Sequence, residues 1–433
     1  MKLKQIFLLV CVSTTILFHS CKDDENNTVT PVEEIEEDYT FNFTAVKNGD
    51  EVKLTWESLN APTFEKYGIA RSVDLITDDP YRVLYHEYGE LFYIDDQDET
   101  TFTDDSFSEF EDQNYKVFVQ LEDQIVLGPT VVIKSESKEL PFCYFHGAII
   151  PGTNHMIITG SNLVAKYDFV QDKILEQQEI NLSSSLVRVG DAGNGMEVFL
   201  FNHFGHYSHF LILDINDLSI KEEKDIGNKI RDIWPSDKGF LFLTTDNTNT
   251  TDNSLFSLNR SGLSIIDTAI VQNSFPTKRL LMTPSNPNKI IKISHNKFSE
   301  HTFNDNGEFT DVIITDNQLG YEPTRNVTLS PSGDVFIYSQ DLSVYSTDDF
   351  TRLETSEASH SKFSFFDSQN EDIIYFFEFS SIAKLDRNSG EIESIKYVPD
   401  MEIHQIFEVG NEIIYIGGAY ATSGCSYISR VAK

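Results

Sequence analysis

The chain has 433 residues, of which 69 are Asp or Glu and 33 Lys or Arg, a formal net charge of −36. That balance excludes binding to nucleic acid, or to an anionic membrane face, through overall charge. With 40% hydrophobic and 12% aromatic residues the chain can still build a substantial core, which excludes a disordered acidic polymer.

At the start, Lys2 and Lys4 precede an apolar run from Ile6 to Phe18, broken only by Ser13, Thr14 and Thr15, and small Ser20 stands before Cys21. This is the order of a cleavable export signal, expected over residues 1–20. The run falls short of the roughly 20 apolar residues that a membrane-spanning helix needs. Phe18-His19-Ser20-Cys21 resembles a bacterial lipobox, which implies acylation of Cys21 and attachment to a membrane through its lipid. The residues that follow, Lys22, Asp23, Asp24 and Glu25 with Asn26 and Asn27, resemble the acidic export tag of Bacteroidota surface lipoproteins. That resemblance implies an outer-membrane protein facing the cell exterior. Residues 21–38, with Pro31 and the acidic run Glu33 to Asp38, cannot bury enough apolar area to fold and read as a flexible tether.

From 39 to 136 the pattern changes to short alternating strands. Val52, Leu54 and Trp56 share one face of Val52-Lys53-Leu54-Thr55-Trp56, and comparable runs start at Tyr67, Thr101, Tyr115 and Val131. The order and spacing of "LTWE", "YGIARS", "TTFTDD" and "YKVFVQL" resemble a fibronectin type III domain, implying a β-sandwich that spaces or presents its neighbours. The acidic stretches Asp95–Glu99 and Asp104–Asp112 read as solvated loops.

Residues 139–433 repeat. An apolar strand followed by an Asx or Ser turn recurs at Tyr167-Asp168, Leu213-Asp214, Leu258-Asn259, Phe303-Asn304, Tyr345-Ser346 and Leu385-Asp386, at spacings of 46, 45, 45, 42 and 40 residues. Such side chains bond their own backbone two residues on, which is why they begin turns. Upstream turns, including Ile150-Pro151-Gly152, Trp234-Pro235-Ser236 and Ser330-Pro331-Ser332-Gly333, lead into markedly apolar strands expected in mid-sheet. Strands after the Asx turns, such as Lys173–Gln178, Ser219–Lys224 and Glu391–Lys396, are charged and suit exposed edges. Each unit therefore predicts a four-stranded propeller blade. Seven are expected, near 142–181, 184–226, 228–271, 273–315, 322–356, 358–397 and 401–433, the last completed by an outer strand around Glu139–Cys143. "LSPSGDVFIYS" resembles blades of WD-type and related surface-protein propellers in architecture, without the Trp-Asp signature. The expected fold is all-β: a fibronectin type III-like sandwich followed by a seven-bladed propeller.

After signal removal Cys143 and Cys425 are the cysteines left beside Cys21, and an oxidising compartment permits a disulfide between them where the ring closes. His203, His206 and His209 recur at intervals of three on a Gly-containing link, where an exposed loop is expected and no metal. Trp234, Tyr207 and Phe204 are candidates to stack on a sugar, with packing the commoner role. Asp267-Thr268-Ala269 resembles a short bacterial O-glycosylation acceptor. No nucleophile elbow, P-loop, His-Glu-x-x-His or recurring carboxylate pair marks a catalytic centre, and no cofactor is expected. The leading expectation is a non-enzymatic binding protein whose propeller takes a glycan, peptide or partner protein. A propeller glycoside hydrolase or polysaccharide lyase, or a purely structural envelope component, are the alternatives.

Overall fold

The structure, a computed structural model, describes residues 41–433 apart from residue 50 and short segments that include 85–89, 107–111, 203–208, 247–252, 272–276, 317–326, 355–360 and 420–425. It is all-β, with one five-residue helix, Pro80–Leu84, among the described residues. No helix there is long and apolar enough to cross a membrane.

Strands β1 (Phe43–Asn48), β2 (Glu51–Trp56), β3 (Phe64–Ser72), β4 (Glu90–Ile94), β5 (Thr101–Asp104), β6 (Gln113–Leu121) and β7 (Ile125–Ile133) make two antiparallel sheets, β1-β2-β5 and β4-β3-β6-β7. The period-2 pattern decides which side of β2 is inside: Val52, Leu54 and Trp56 are buried, and Glu51, Lys53 and Thr55 exposed. Trp56 lies against Tyr67 of β3, ring centroids 5.3 Å apart. The sheets are also joined by charge. Arg71 Nη1 donates to both oxygens of Asp104 at 2.9 Å, and the Tyr115 hydroxyl donates to the same carboxylate at 2.7 Å. Asp104, read from sequence as part of a solvated acidic stretch, is thus a buried acceptor. A buried Arg and Tyr converging on it replace the water it loses.

The rest of the chain forms seven further four-stranded antiparallel sheets, over 144–179, 185–225, 229–271, 277–316, 327–354, 363–397 and 401–432. Six are built from consecutive strands. The seventh has three of its own, Met401–Val409, Glu412–Ala419 and Ser426–Ala432, and takes its fourth from β8 (Lys138–Leu140). Ser426 faces Leu140, Tyr427 faces Glu139 and Ile428 faces Lys138. This strand lies slightly before the expected Glu139–Cys143, because Pro141 has no N–H to continue a ladder.

Second strands are buried on both faces. In Met196–Asn202 every residue from Glu197 onward is inside, and alternate residues feed two different cores. Hydrophobic clusters are consequently shared between sheets. One joins sheets one and two through Ile157, Val164, Val187 and Val198. The second and third share Phe199, Phe210, Ile233 and Leu241, and the third and fourth Phe242, Leu255, Ile290 and Phe303. Others join the fourth to the fifth, the fifth to the sixth and the sixth to the seventh. A last cluster joins the seventh back to the first through Ile414, Ile416, Met156 and Tyr167, with Leu140 of β8 inside it. First strands follow the same cyclic order, each touching the next, with Met401–Val409 against Tyr144–Ile149.

The turn residues behave as their chemistry requires. Side-chain oxygens of Asp168, Asp214, Asn259, Asn304, Ser346 and Asp386 each accept the backbone N–H two residues on, at 2.8–3.1 Å. Two patterns depart from expectation. Trp234-Pro235-Ser236 is not a turn but the end of a strand, Lys229–Ser236, where proline is tolerated because this is the first, edge strand of its sheet. Nor are all outer strands charged. Ile265–Val271 exposes Ile265 and Ile270, and Phe309–Asp316 exposes Val312, Ile313 and Ile314.

Candidate functional site

First strands bring together residues far apart in sequence, and β-bulges aim them. Between first and second strands the register shifts at Ile230/Asp232 in the third sheet, Thr277/Arg279 in the fourth and Ile403/Gln405 in the seventh. An extra residue on one strand bends it and redirects the side chain that follows. The redirected residues here are Asp232, Arg279 and Gln405.

Gln405 closes the cyclic order. Its Oε1 accepts from Gly147 N at 3.0 Å and its Nε2 donates to Gly147 O at 3.1 Å, so the side-chain amide pairs with a backbone peptide unit of the first sheet. The hydroxyl of Tyr144 donates to the same Oε1. Gly147 is required for this approach, since a Cβ there would lie 2.9 Å from the Tyr144 hydroxyl.

Asp232 and Arg279 meet Arg188 of the second sheet. Arg188 grips Asp232 as a fork, Nε to Oδ1 at 3.2 Å and Nη2 to Oδ2 at 2.8 Å. The same carboxylate accepts Ile233 N at 3.0 Å and Leu280 N at 2.8 Å. Arg188 also lies over the Trp234 ring, 4.8 Å from its centroid. Trp234, partly buried, packs against the core of the third and fourth sheets and that of the fourth and fifth, beside its cation–π contact. Arg279 Nε is 3.9 Å from Asp232 Oδ2. That nitrogen is buried and has no hydrogen-bond partner among the described residues, while the side chain as a whole is 21% exposed. Burial first, then the Arg188 charge, with Asp232 opposing, bring the Arg279 guanidinium down to about 10.

Sequence reasoning missed this cluster. Its members are 44 residues or more apart along the chain for the Arg188–Asp232 pair alone, and no motif links them. Of the residues it did single out, Cys21, Lys22, Asp23, Asp24, Glu25, Cys425, His203, Phe204, His206 and Tyr207 lie outside the described residues. Cys143 is exposed just after β8. His209 opens the strand His209–Asp214, its Nε2 3.8 Å from Glu223. Thr268 is exposed on the outer strand Ile265–Val271. Among the described residues no group of three or more His, Cys, Asp or Glu is placed to hold a metal ion.

The chain matches no protein-family model and no curated protein sequence. Among solved structures, hydrazine synthase of Kuenenia stuttgartiensis is similar over 67% of this chain and 94% of that one, at 9% identity and a TM-score of 0.45. A likeness at that level carries no argument about fold or activity. The strand pairing itself defines the class: an all-β chain of small antiparallel sheets.

Proposed function

We propose that this is a lipid-anchored cell-envelope protein, displayed on the outside of the outer membrane, that binds a ligand through a seven-bladed propeller carried on a fibronectin type III-like sandwich. The observation that carries the propeller reading is the cyclic sharing of cores: each of the seven sheets packs on the next, and the seventh packs on the first. Completion of the seventh sheet by β8 supports it further, since a ring fastened by a strand from its other end leaves no open junction. Three-plus-four strand pairing over 43–133 supports the sandwich. Anchoring rests on Cys21 and its flanking residues alone. A binding role is favoured because the polar groups gathered on the first strands hold one another in place and leave a guanidinium over, an arrangement suited to recognising charge.

Two measurements test this. Replacing Cys21 by Ser should move the protein from the membrane fraction to the soluble fraction, and the unmodified protein should be protease-sensitive on intact cells. Retention of Cys21→Ser in the membrane would end the anchoring proposal. A chain beginning after Cys21, applied to a glycan array and used in pull-downs, should capture a ligand. Turnover on a polysaccharide panel, abolished by replacing one acid, would replace the binding reading with an enzymatic one.

A further inference from the structure

Among the described residues, Arg279 faces one carboxylate, Asp232, which it shares with Arg188, and its Nε has no hydrogen-bond partner. Asp232 is the nearest carboxylate, and a carboxylate offers about four lone-pair positions. Here all are taken: Oδ1 by Arg188 Nε and Ile233 N, Oδ2 by Arg188 Nη2 and Leu280 N. Arg279 Nε, at 3.9 Å, stands outside hydrogen-bonding distance of it. The three side chains therefore sum to one surplus positive charge, largely shielded from water, in a protein whose net charge is −36. A buried donor without a partner is uncommon and costly. Arg279 is nonetheless reachable from solvent, with 21% of its side chain exposed. It is a group with a spare donor face, surrounded by protein and open to a small solute.

We infer that Arg279, steadied by Arg188 and Asp232, is the receiving group of a site for a small monoanionic carboxylate. The inference deepens the binding-module reading and rests on it for biological meaning. A guanidinium presents parallel N–H donors that match the two oxygens of a planar carboxylate. A single negative charge closes the local balance, whereas a doubly charged phosphate would overshoot it and meet the acidic field of the whole molecule. Arg188 cannot serve in the same way, because its fork is spent on Asp232 and its face on Trp234. The carboxylate could belong to an acidic sugar or to a free organic acid, and the two sources separate by experiment.

The full chain is titrated by calorimetry at pH 7 with acetate, D-glucuronate and D-glucose, beside Arg279→Met and Arg279→Lys. Expected are heats with acetate and glucuronate and none with glucose. Loss of a charged hydrogen-bonding partner should weaken carboxylate binding about tenfold or more in Arg279→Met. Arg279→Lys keeps the charge without the fork and should bind with intermediate affinity; it also carries the test if the Met variant fails to fold. Tighter binding of glucuronate than acetate identifies an acidic sugar as the source, and equal binding a free acid. Melting temperature supplies the readout that a structural role would move the other way. Without ligand, Arg279→Met should melt no lower than the parent, because it removes the surplus positive charge and an Nε donor that has no hydrogen bond. The site is overturned if acetate and glucuronate do not bind, if they bind Arg279→Met as tightly as the parent, or if Arg279→Met melts well below the parent. Failure of the acetate arm sinks this site only; capture of a neutral glycan on the array would leave the binding module standing.

Discussion

His301 is wholly buried in the strand Lys297–Phe303, its Nε2 2.9 Å from Ser299 Oγ and its ring against Phe309. Burial, with a smaller contribution from Lys292, lowers its pKa to about 3. An unfolded chain would take up the proton near pH 6.5, well before the folded one does. His301 therefore contributes stability above about 6.5 that is lost as pH falls toward 3. From pH 7 to pH 5 the loss should be about 2 kcal/mol. Urea unfolding of the parent and His301→Gln at both pH values checks it: the variant should lose less by that difference, and equal losses would refute the assignment. At this scale the sequence was legible where chemistry is local. The six turn-forming side chains were identifiable because each bonds a backbone N–H two residues away. Arg71–Asp104 and Arg188–Asp232–Arg279 were not, because which acid is buried depends on strands that pair far along the chain and on bulges that redirect a side chain.

At the scale of elements, apolar second strands were readable from residues such as Val198 to Phe201 and Ile413 to Ile416, since burial on both faces leaves no alternation to obscure them. Outer strands were less so: three charged examples suggested a rule that Val312, Ile313 and Ile314 break. The element with most leverage is β8, three residues long. Leu140 is 2% exposed and belongs to the core shared by the seventh and first sheets. Replacing it by Ala removes buried methyl groups and leaves a cavity at that junction, a loss of about 2–4 kcal/mol. Chemical denaturation should show this as a lower midpoint. A midpoint unchanged from the parent would mean that β8 does not hold the seventh sheet to the first.

For the whole molecule, neighbouring sheets are tied by polar bonds as well as cores. Arg260 forks onto buried Glu197 at 2.7 and 2.8 Å between the third and second sheets. Arg387 reaches Glu354 at 3.0 Å between the sixth and fifth, and Lys433 reaches Asp367 at 3.1 Å between the seventh and sixth. Arg430 Nη2 donates to Phe169 O at 2.7 Å across the junction of the seventh and first. That last junction is also where the first and last strands of the repeat region meet, and an opening there would free both. A covalent bond has most to add at such a place, because it closes a loop nearly as long as the repeat region. The chain leaves β8 at Leu140, opposite Ser426, and returns so that Tyr144 N donates to Ser426 Oγ at 2.9 Å. Cys143 precedes Tyr144 in sequence, and Cys425, which lies outside the described residues, precedes Ser426. A disulfide between them, proposed from the oxidising compartment, would stabilise by up to about 5 kcal/mol through loop closure. Protein exported to an oxidising compartment should yield a linked Cys143–Cys425 peptide under non-reducing mass spectrometry, and reduction should lower its melting temperature. Two unmodified thiols in folded, exported protein would rule the bond out and leave the contact of the seventh sheet with the first to β8, Gln405, Arg430 and the core they flank.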